Sequence, residues 1–198
     1  MRIAILGAGN VGGGLGQAFR AVGHDVVFGV RDPGSPKTQA AIDAAPGSTA
    51  AAPPDAVDGA DLIVFALRWD AAAEIIPTLG SLDGRIVVDA MNRFGTARST
   101  AEDLVDLLPG AKVAKCFNTI GAENFATAAD RAVQAAMFVA GDDADAKRVA
   151  LDLADALGFR AEDAGPLANA RALEDMVKVW LSLAQVHGRH VGFAISPG

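Results

Sequence analysis

The 198-residue sequence predicts an α/β fold with a doubly wound, mostly parallel sheet and a C-terminal helical extension. Three observations support this prediction. Short, continuously apolar runs recur along the chain, as expected of strands that are buried on both faces of a parallel sheet. Helical patterns separate several of these runs, and such alternation implies right-handed crossover connections. A glycine-rich turn lies between the first apolar run and the first helical pattern.

The elements follow from these patterns in chain order. The predicted strands are Ile3–Leu6, Val26–Val30, Leu62–Leu67, Ile86–Val88, Val113–Phe117, Met137–Ala140 and a short last strand at Phe159–Ala161. The predicted helices are Val11–Val22, Lys37–Ala45, Ala71–Leu79, Ala101–Leu108, Asp143–Leu157 and Ala168–His187. The rest of the segment Gly34–Asp58 is poor in long apolar residues, and we predict a loop there.

The turn after the first strand carries a phosphate-binding motif. Residues 7–12 read Gly-Ala-Gly-Asn-Val-Gly, a G-x-G-x-x-G pattern between a predicted strand and a predicted helix. Gly7 permits a tight turn, Gly9 leaves room for a pyrophosphate, and Gly12 lets the helix pack closely on the strand. The N–H groups at the start of the helix would then bind the anion. This context predicts a dinucleotide-binding fold of the Rossmann type.

The end of the second strand indicates which dinucleotide to expect. NAD-binding chains usually place Asp or Glu at this position, where it binds the ribose 2′-hydroxyl. Here the strand ends in Val30 and Arg31, and Lys37 offers a second cation for a 2′-phosphate. We therefore predict NADP(H) as the cofactor. Asp32 leaves an alternative open, because it could neutralise Arg31 or hydrogen-bond a ribose.

The carboxyl ends of the later strands are expected to complete the site, because ligands of open parallel sheets bind beyond these ends. The groups found there suit a nicotinamide and a second flat ring; they are Arg68, Trp69, Met91, Asn92, Arg93, Asn118, Thr119, Ile120 and Gly121. No obvious acid or base is among them, so no catalytic side chain is predicted. Capping by Asn92 and Asn118, and a packing role for Trp69, are the alternatives.

The last helix is apolar on one face over several turns. The residues with this spacing are Leu173, Met176, Val177, Trp180, Leu183 and Ala184. We expect the helix to pack on the sheet or on a partner subunit, which favours a homodimer. Its first turn, near Asn169 and Arg171, is a candidate wall of the substrate pocket. The predicted organisation is one structural unit, with a dinucleotide-binding domain at residues 1–165 and a helix and tail at 166–198.

Composition and charge exclude other classes of protein. With 17 Lys and Arg against 24 Asp and Glu, the net charge of −7 argues against a nucleic-acid or anionic-membrane partner. A single cysteine, Cys116, excludes an internal disulfide, and His187 and His190 lack a third ligand, so no metal site is predicted. The first apolar run is too short for a signal peptide and no run reaches the roughly 18 residues that span a bilayer, so we expect a cytoplasmic protein.

Three segments resemble the NADPH:coenzyme F420 oxidoreductase family, also called F420-dependent NADP reductases. They are the N-terminal block from Gly7 to Arg31, Phe117–Ala122, and Asp163–Arg171, of which the last is the most discriminating. The resemblance covers nearly the whole chain. Within it, the sequence departs from the family's pattern at Val30, Asp32, Arg68 and the turn Met91–Arg93.

The resemblance implies hydride transfer between nicotinamide C4 of NADP(H) and C5 of the deazaflavin F420, a small-molecule co-substrate. By this resemblance, the pyrophosphate would be bound by Ala8, Gly9, Asn10 and Val11. The 2′-phosphate would be bound by Arg31 and Lys37. The nicotinamide would lie near Leu67, Met91 and Ala122. F420 is anionic, so a cationic rim is expected at Arg68, Arg93, Arg171 and Lys178. The alternatives are a reductase of another acceptor (a flavin, a metal, or a small carbonyl or imine) and a non-catalytic redox sensor.

Overall fold

The structure is a computed structural model that describes residues 1–196, and within that range it contains eight strands and seven α-helices. The strands are β1 (Arg2–Leu6), β2 (Asp25–Gly29), β3 (Thr49–Ala51), β4 (Leu62–Phe65), β5 (Ile86–Asp89), β6 (Lys112–Lys115), β7 (Ala136–Gly141) and β8 (Arg160–Asp163). The helices are α1 (Asn10–Ala21), α2 (Pro36–Ala44), α3 (Pro53–Val57), α4 (Trp69–Ile75), α5 (Thr100–Leu107), α6 (Ala144–Ala156) and α7 (Ala170–His187).

The strands form one sheet in the order β3-β2-β1-β4-β5-β6-β7-β8. Strand β1 is central and pairs in parallel with β2 and β4, so that Ile5 lies opposite both Phe28 and Val64. The chain runs outward from β1 to β3 and then returns to β4, which makes the edge between β1 and β4 the switch point where ligands bind in such sheets. The predicted fold class, a doubly wound and mostly parallel α/β sheet with a C-terminal helix, is confirmed.

Among the strand pairs of the described chain, only β6 and β7 are antiparallel. The segment that connects these two strands explains why. A parallel neighbour needs a crossover of a dozen or more residues, usually a helix. Between β6 and β7 the chain forms 3₁₀ turns at Ala122–Asn124 and Ala128–Asp130 in place of a crossover helix. It therefore returns alongside β6 with Lys115 opposite Ala140.

The segment Gly34–Asp58 corrects one prediction. Its helix is found as α2, but the predicted loop contains strand β3 and helix α3. Strand β3 extends the sheet by pairing its backbone with β2, Thr49 opposite Val27 and Ala51 opposite Gly29. Its three residues are small or polar, so the apolar run that marks the other strands is missing. Helix α3 begins at Pro53, a residue whose fixed φ suits the first turn of a helix.

The core has two halves, one on each face of the sheet. Alternate residues of β1 face opposite sides: Ile3 and Ile5 belong to one hydrophobic cluster, Ala4 and Leu6 to the other. Helices α1, α2 and α6 cover the first face, and α3, α4 and α5 cover the second. Strands buried on both sides explain the continuous apolar runs of the sequence.

Helix α7 packs against α5 and β7. It buries Leu173, Val177, Trp180 and Ala184, but it leaves Leu183 exposed and Met176 half-buried. In the described part of the chain, no helix combines the length and the hydropathy that crossing a membrane requires.

Candidate functional site

Two glycines in the turn between β1 and α1 lie so close to neighbouring atoms that a side chain would not fit. Gly7 has a φ of +108°, and a Cβ there would lie 2.6 Å from Leu67 Cδ2 and 2.7 Å from the Ala66 carbonyl oxygen. A Cβ on Gly12 would overlap the Gly7 carbonyl oxygen, so α1 rests on the turn itself. The Gly7 N–H donates to the Gly29 carbonyl oxygen at 3.0 Å, which fixes the turn to β2.

Gly9 is the N-cap residue of α1 and leaves the start of this helix open. No side chain caps α1, and its first turn holds no acidic residue. A Cβ on Gly9 would have one neighbour within 4 Å, the Lys37 Nζ at 3.7 Å. The first N–H groups of an α-helix lack intrahelical partners and carry the positive end of its dipole. This backbone, faced by the Lys37 ammonium, is therefore suited to an anion, and we call it the Gly9 cradle.

A cleft of about 740 Å³ runs from the Gly9 cradle across the carboxyl ends of β2, β1, β4 and β5. Most of the predicted cofactor-binding residues line it: Gly7, Ala8, Gly9, Asn10, Val11, Val30, Arg31, Lys37, Leu67, Arg68, Met91 and Asn92. Its lining also includes residues that the sequence analysis did not single out, namely Gly29, Ser35, Thr38, Pro53, Ala66, Ala71, Ile75 and Ala90.

The other predicted site residues lie outside the lining of this cleft. They are Gly12, Trp69 and Ala122 from the cofactor set, and Asn118, Thr119, Ile120, Asn169 and Arg171 from the substrate set. Ala122 packs instead against α1, because a Cβ on Gly14 would lie 2.9 Å from the Ala122 carbonyl oxygen. The guanidinium of Arg93 stacks over the Trp69 ring, 4.6 Å from its centroid.

The loop after β2 forms the end of the cleft where a 2′-phosphate is predicted. Arg31 pairs with Glu74 of α4 at 3.1 Å, and both side chains are largely exposed. The Asp32 carboxylate instead accepts the Gly34 N–H at 3.0 Å, and its carbonyl oxygen accepts the Thr38 hydroxyl at 3.0 Å. Asp32 thus orders its own loop, and the carboxylate that faces Arg31 belongs to Glu74.

Asn92 and Asn118 bind each other across the ends of β5 and β6. The Asn118 amide donates to Asn92 Oδ1 at 2.9 Å and to the Leu173 carbonyl oxygen at 3.0 Å, and Asn92 Nδ2 donates to the Asn118 carbonyl oxygen at 3.1 Å. Phe117, just before Asn118, has a φ of +61°, in the left-handed region that non-glycine residues rarely adopt. Asn118 and Thr119, which follow Phe117, are both buried.

The start of α7 is held by internal hydrogen bonds. Asn169 Nδ2 donates to the Ala164 carbonyl oxygen at 2.6 Å. Arg171 donates to the Arg93 carbonyl oxygen at 2.7 Å and pairs with Glu174 at 2.7 Å.

Of the four cations expected to form a rim for an anionic acceptor, three are paired with carboxylates in the structure. Arg93 pairs with Asp103 at 2.5 Å, and Lys178 pairs with Asp175 at 2.7 Å. Since Arg171 also has carboxylate partners, Arg68 is the expected rim cation without one among the described residues.

A buried cluster of charges lies beneath this end of the cleft, and the sequence analysis missed it. Lys115 of β6 pairs with Asp89 of β5 and with Glu174 of α7, each at 2.8 Å, and all three side chains are fully buried. Burial alone would raise the pKa of Glu174, but the Lys115 charge and hydrogen bonds from Lys115 and Thr100 hold it below its usual range. Two features of the sequence could have indicated this cluster. Lys115 interrupts an otherwise apolar run, and Glu174 follows Leu173 on the apolar side of the last helix.

Cys116 follows β6 and is fully buried. Burial raises the pKa of its thiol far above the usual range, which makes it a small apolar side chain rather than a nucleophile. Among residues 1–196, no cluster of three or more His, Cys, Asp or Glu side chains could hold a metal ion.

Comparison with known proteins identifies the family. A family model described as "NADP oxidoreductase coenzyme F420-dependent" matches residues 2–93. The crystal structure of a candidate F420-dependent NADP reductase from Arthrobacter sp. FB24 is 30% identical, with a TM-score of 0.88 over 98% of this chain and 99% of that one. The chain belongs to the coenzyme F420-dependent NADP oxidoreductase family.

Other relatives of this oxidoreductase family differ in the acceptor that their names specify. The F420-dependent NADP reductase of Methanothermobacter thermautotrophicus is 28% identical over 207 residues, covering 92% of this chain and 89% of that protein. Metalloreductase STEAP3 from Rattus norvegicus is 30% identical over 178 residues, covering 87% of this chain. The chain spans only 36% of the length of that metalloreductase. Membership confirms the predicted resemblance and the predicted enzyme class, an NADP-dependent oxidoreductase.

Proposed function

We propose that this protein transfers a hydride between NADP(H) and coenzyme F420. The observation that carries the proposal is the continuous cleft that joins the Gly9 cradle to the carboxyl ends of β4 and β5. Arg31 at one end suits a 2′-phosphate, and Leu67 and Met91 at the other suit a flat nicotinamide ring. Lys37, which the sequence also suggests for the 2′-phosphate, has its ammonium at the Gly9 cradle, next to the proposed diphosphate. The similarity to the Methanothermobacter thermautotrophicus reductase over 92% of this chain supports a deazaflavin as the acceptor.

The residues of the cradle fit the diphosphate of a dinucleotide. The missing side chain of Gly9 leaves open space in front of the first N–H groups of α1, where an added Cβ would meet only Lys37 Nζ. A diphosphate there would accept hydrogen bonds from this backbone and lie next to the Lys37 ammonium. Helix α2 begins at the same end of the cleft, and its N-cap residue, Ser35, also lines it.

The ring end of the cleft, where Leu67 and Met91 lie, suits hydride transfer between two carbon atoms. When bound, NADPH would supply a hydride from nicotinamide C4 to C5 of F420, and the reduced deazaflavin would take up one proton from solvent at a ring nitrogen, away from the two reacting carbons. The protein then needs no acid or base at the reacting atoms, and apart from Arg68 the described side chains at this end are uncharged: Ala66, Leu67, Ala90, Met91 and Asn92.

The contribution of the protein is therefore to position the two rings and to exclude water. Met91 is buried at the end of β5, and half-buried Leu67 closes over Gly7, so the two form an apolar wall at the ring end. Holding two reactants in the right geometry can lower a barrier by roughly 7–11 kcal/mol. An arrangement of apolar side chains and fixed amides is consistent with this mode of catalysis.

Arg68 is the proposed contact for the anionic part of F420. It is exposed at the N-terminus of α4, lines the cleft, and has no carboxylate partner in the described chain. The other predicted contacts of the acceptor stay predictions; they involve Asn118, Thr119, Ile120, Asn169 and Arg171.

The direct test mixes the purified protein with NADPH and oxidised F420 and follows the loss of the visible absorbance of the deazaflavin. FMN, ferric citrate and a cyclic imine are assayed in parallel, because they represent the alternative acceptors. We expect turnover with F420 at least about tenfold faster than with any other acceptor. Turnover with another acceptor alone would contradict the proposal, and so would stabilisation by NADPH without turnover of any acceptor, as expected of a redox sensor.

A homodimer remains our prediction for the assembly state, and an exposed seam on α7 supports it. The seam consists of apolar residues spaced alternately four and three apart, the spacing by which two helices pack: Ala172, Met176, Val179, Leu183 and Val186. Light scattering coupled to gel filtration should give the mass of two chains, and Val179→Glu should give the mass of one. A monomeric wild-type protein would contradict the prediction.

A further inference from the structure

The buried charge cluster is connected to the cleft through a single turn. Lys115 Nζ has four acceptors: Asp89 Oδ2 at 2.8 Å, the Met91 carbonyl oxygen at 2.5 Å, Thr100 Oγ1 at 2.9 Å and Glu174 Oε1 at 2.8 Å. A buried ammonium is stable only when it is paired and its donors are bonded, and here both conditions hold. One of the four acceptors is the backbone of a residue that lines the cleft.

Both peptide groups of Met91 are held by this cluster. Its carbonyl oxygen accepts the Lys115 ammonium, and its N–H donates to Asp89 Oδ1 at 2.9 Å. The second carboxylate oxygen of Asp89 bonds Lys115, so a single ion pair fixes Met91 from both sides.

Both peptide groups of Arg93 are held from α7. Its N–H donates to Glu174 Oε2 at 3.2 Å, and its carbonyl oxygen accepts Arg171 Nη1 at 2.7 Å. Arg171 also donates to Glu174 Oε2 at 2.7 Å, so the two α7 side chains act together. Asn92, between these two held residues, lines the cleft and has its amide fixed by Asn118.

The arrangement is costly if its only role is to stabilise the fold. Replacing a buried ion pair with apolar side chains of similar volume is often neutral or stabilising, so burial of Lys115, Asp89 and Glu174 is weak evidence for a stabilising role. What the charged side chains provide is directional: four hydrogen bonds join them to the backbone of a three-residue turn that forms one wall of the cleft.

We propose that Lys115 and Glu174 are positioning residues, which hold the turn Met91–Arg93 in the geometry that receives the nicotinamide and thereby connect α7 to hydride transfer. The inference rests on the proposed function, in which Met91 and Asn92 face the ring end of NADP(H). Neither positioning residue lines the cleft. Each acts through the backbone of the turn.

Glu174→Gln is the most selective test, because the amide keeps the size of the carboxylate. The change removes the charge and places an amide donor where Arg93 N–H or Lys115 needs an acceptor. If Glu174→Gln does not fold, Arg171→Met removes the hydrogen bond to the Arg93 carbonyl oxygen from a side chain at the edge of the cluster. Arg171→Lys, which keeps one donor, should restore part of the loss. Asp143→Ala removes the N-cap of α6, away from the cleft, and serves as a control for loss of stability alone.

The first readout is binding, and it does not depend on the acceptor. The dissociation constants of NADP⁺ and of 2′,5′-ADP, which lacks the nicotinamide, are measured by calorimetry. We expect Glu174→Gln to raise the dissociation constant of NADP⁺ about five- to tenfold and that of 2′,5′-ADP by less than twofold. Asp143→Ala should change neither constant. Equal weakening of both ligands, or of neither, would overturn the inference and leave the proposed function standing. Failure of the wild-type protein to bind NADP⁺ would overturn both.

The second readout is turnover with NADPH and F420. Because a misplacement of about 1 Å can reduce a rate roughly a hundredfold, we expect kcat to fall about 10–100-fold, while KM for NADPH rises by no more than the five- to tenfold change in the dissociation constant. A loss confined to KM, or an equal loss in Asp143→Ala, would overturn the positioning role.

Discussion

Arg31→Ala should weaken NADPH far more than NADH, and the size of this effect can be estimated from the structure. The Arg31 side chain is 74% exposed and its partner Glu74 is 63% exposed, so their ion pair contributes at most about 1 kcal/mol. A charge-assisted hydrogen bond to a phosphate contributes about 1.5–3 kcal/mol. Arg31 must give up its ion pair with Glu74 to bind the phosphate, so the net binding free energy that it contributes is roughly 1–2 kcal/mol. Its loss corresponds to an increase of about 5–30-fold in the Kd of NADPH.

The assay is a calorimetric titration of both dinucleotides into both proteins. NADH lacks the 2′-phosphate, so its Kd should change by less than twofold in Arg31→Ala. Arg148→Ala is the matched control, because Arg148 is also an exposed arginine paired with a carboxylate, Asp152, but lies on α6 outside the cleft. Equal weakening of the two dinucleotides, or no change in either, would refute the assignment of Arg31 to the 2′-phosphate.

Three further predictions follow from the same geometry. Glu74→Gln removes the carboxylate that competes for Arg31 and should lower the Kd of NADPH about two- to fivefold in the same titrations; an unchanged value would show that the two do not compete. Gly9→Ala places a Cβ in space that the protein leaves open, so the fold should tolerate it while NADP⁺ binding falls at least about tenfold; retained binding would move the diphosphate elsewhere. The pKa of Glu174 is held below its usual range near pH 4, so its contribution to stability is present above that range and is lost as pH falls through the lower folded value. Chemical denaturation between pH 6 and about pH 3 should therefore show a steeper loss in the wild type than in Glu174→Gln, and parallel curves would contradict this.

Most of the fold could be predicted because its signals are local. A buried parallel strand is apolar throughout, and a helix after a glycine turn shows its period within a dozen residues. The Gly7–Gly12 motif specifies a turn whose steric demands are met within β1 and α1 themselves. Strand β3 was missed for the opposite reason, since its pairing with β2 depends on backbone and its side chains carry no apolar signal.

The parts of the site that the sequence analysis missed depend on contacts between distant residues. Glu174 is 59 residues from Lys115 in the chain, and nothing near either one indicates the other. Asn118 is predicted as a substrate ligand because it follows a strand, and this stays a prediction. Its hydrogen bonds to Asn92 and to the Leu173 carbonyl oxygen, 26 and 55 residues away, have no signal near it in the sequence. The same holds for Arg31 in the loop after β2, whose partner Glu74 lies on α4, 43 residues further along the chain. Such partners are set by tertiary packing.

The most direct test of the account is the fate of the transferred hydrogen. NADPH deuterated at C4 on one face or the other is incubated with oxidised F420 and the protein in ordinary water, and the reduced F420 is examined by mass spectrometry. Direct transfer between two rings held in the cleft predicts one deuterium in the product from one NADPH isomer and none from the other. Reduced F420 without deuterium from either isomer would mean that the hydrogen passes through solvent or a protein group, and it would contradict the account.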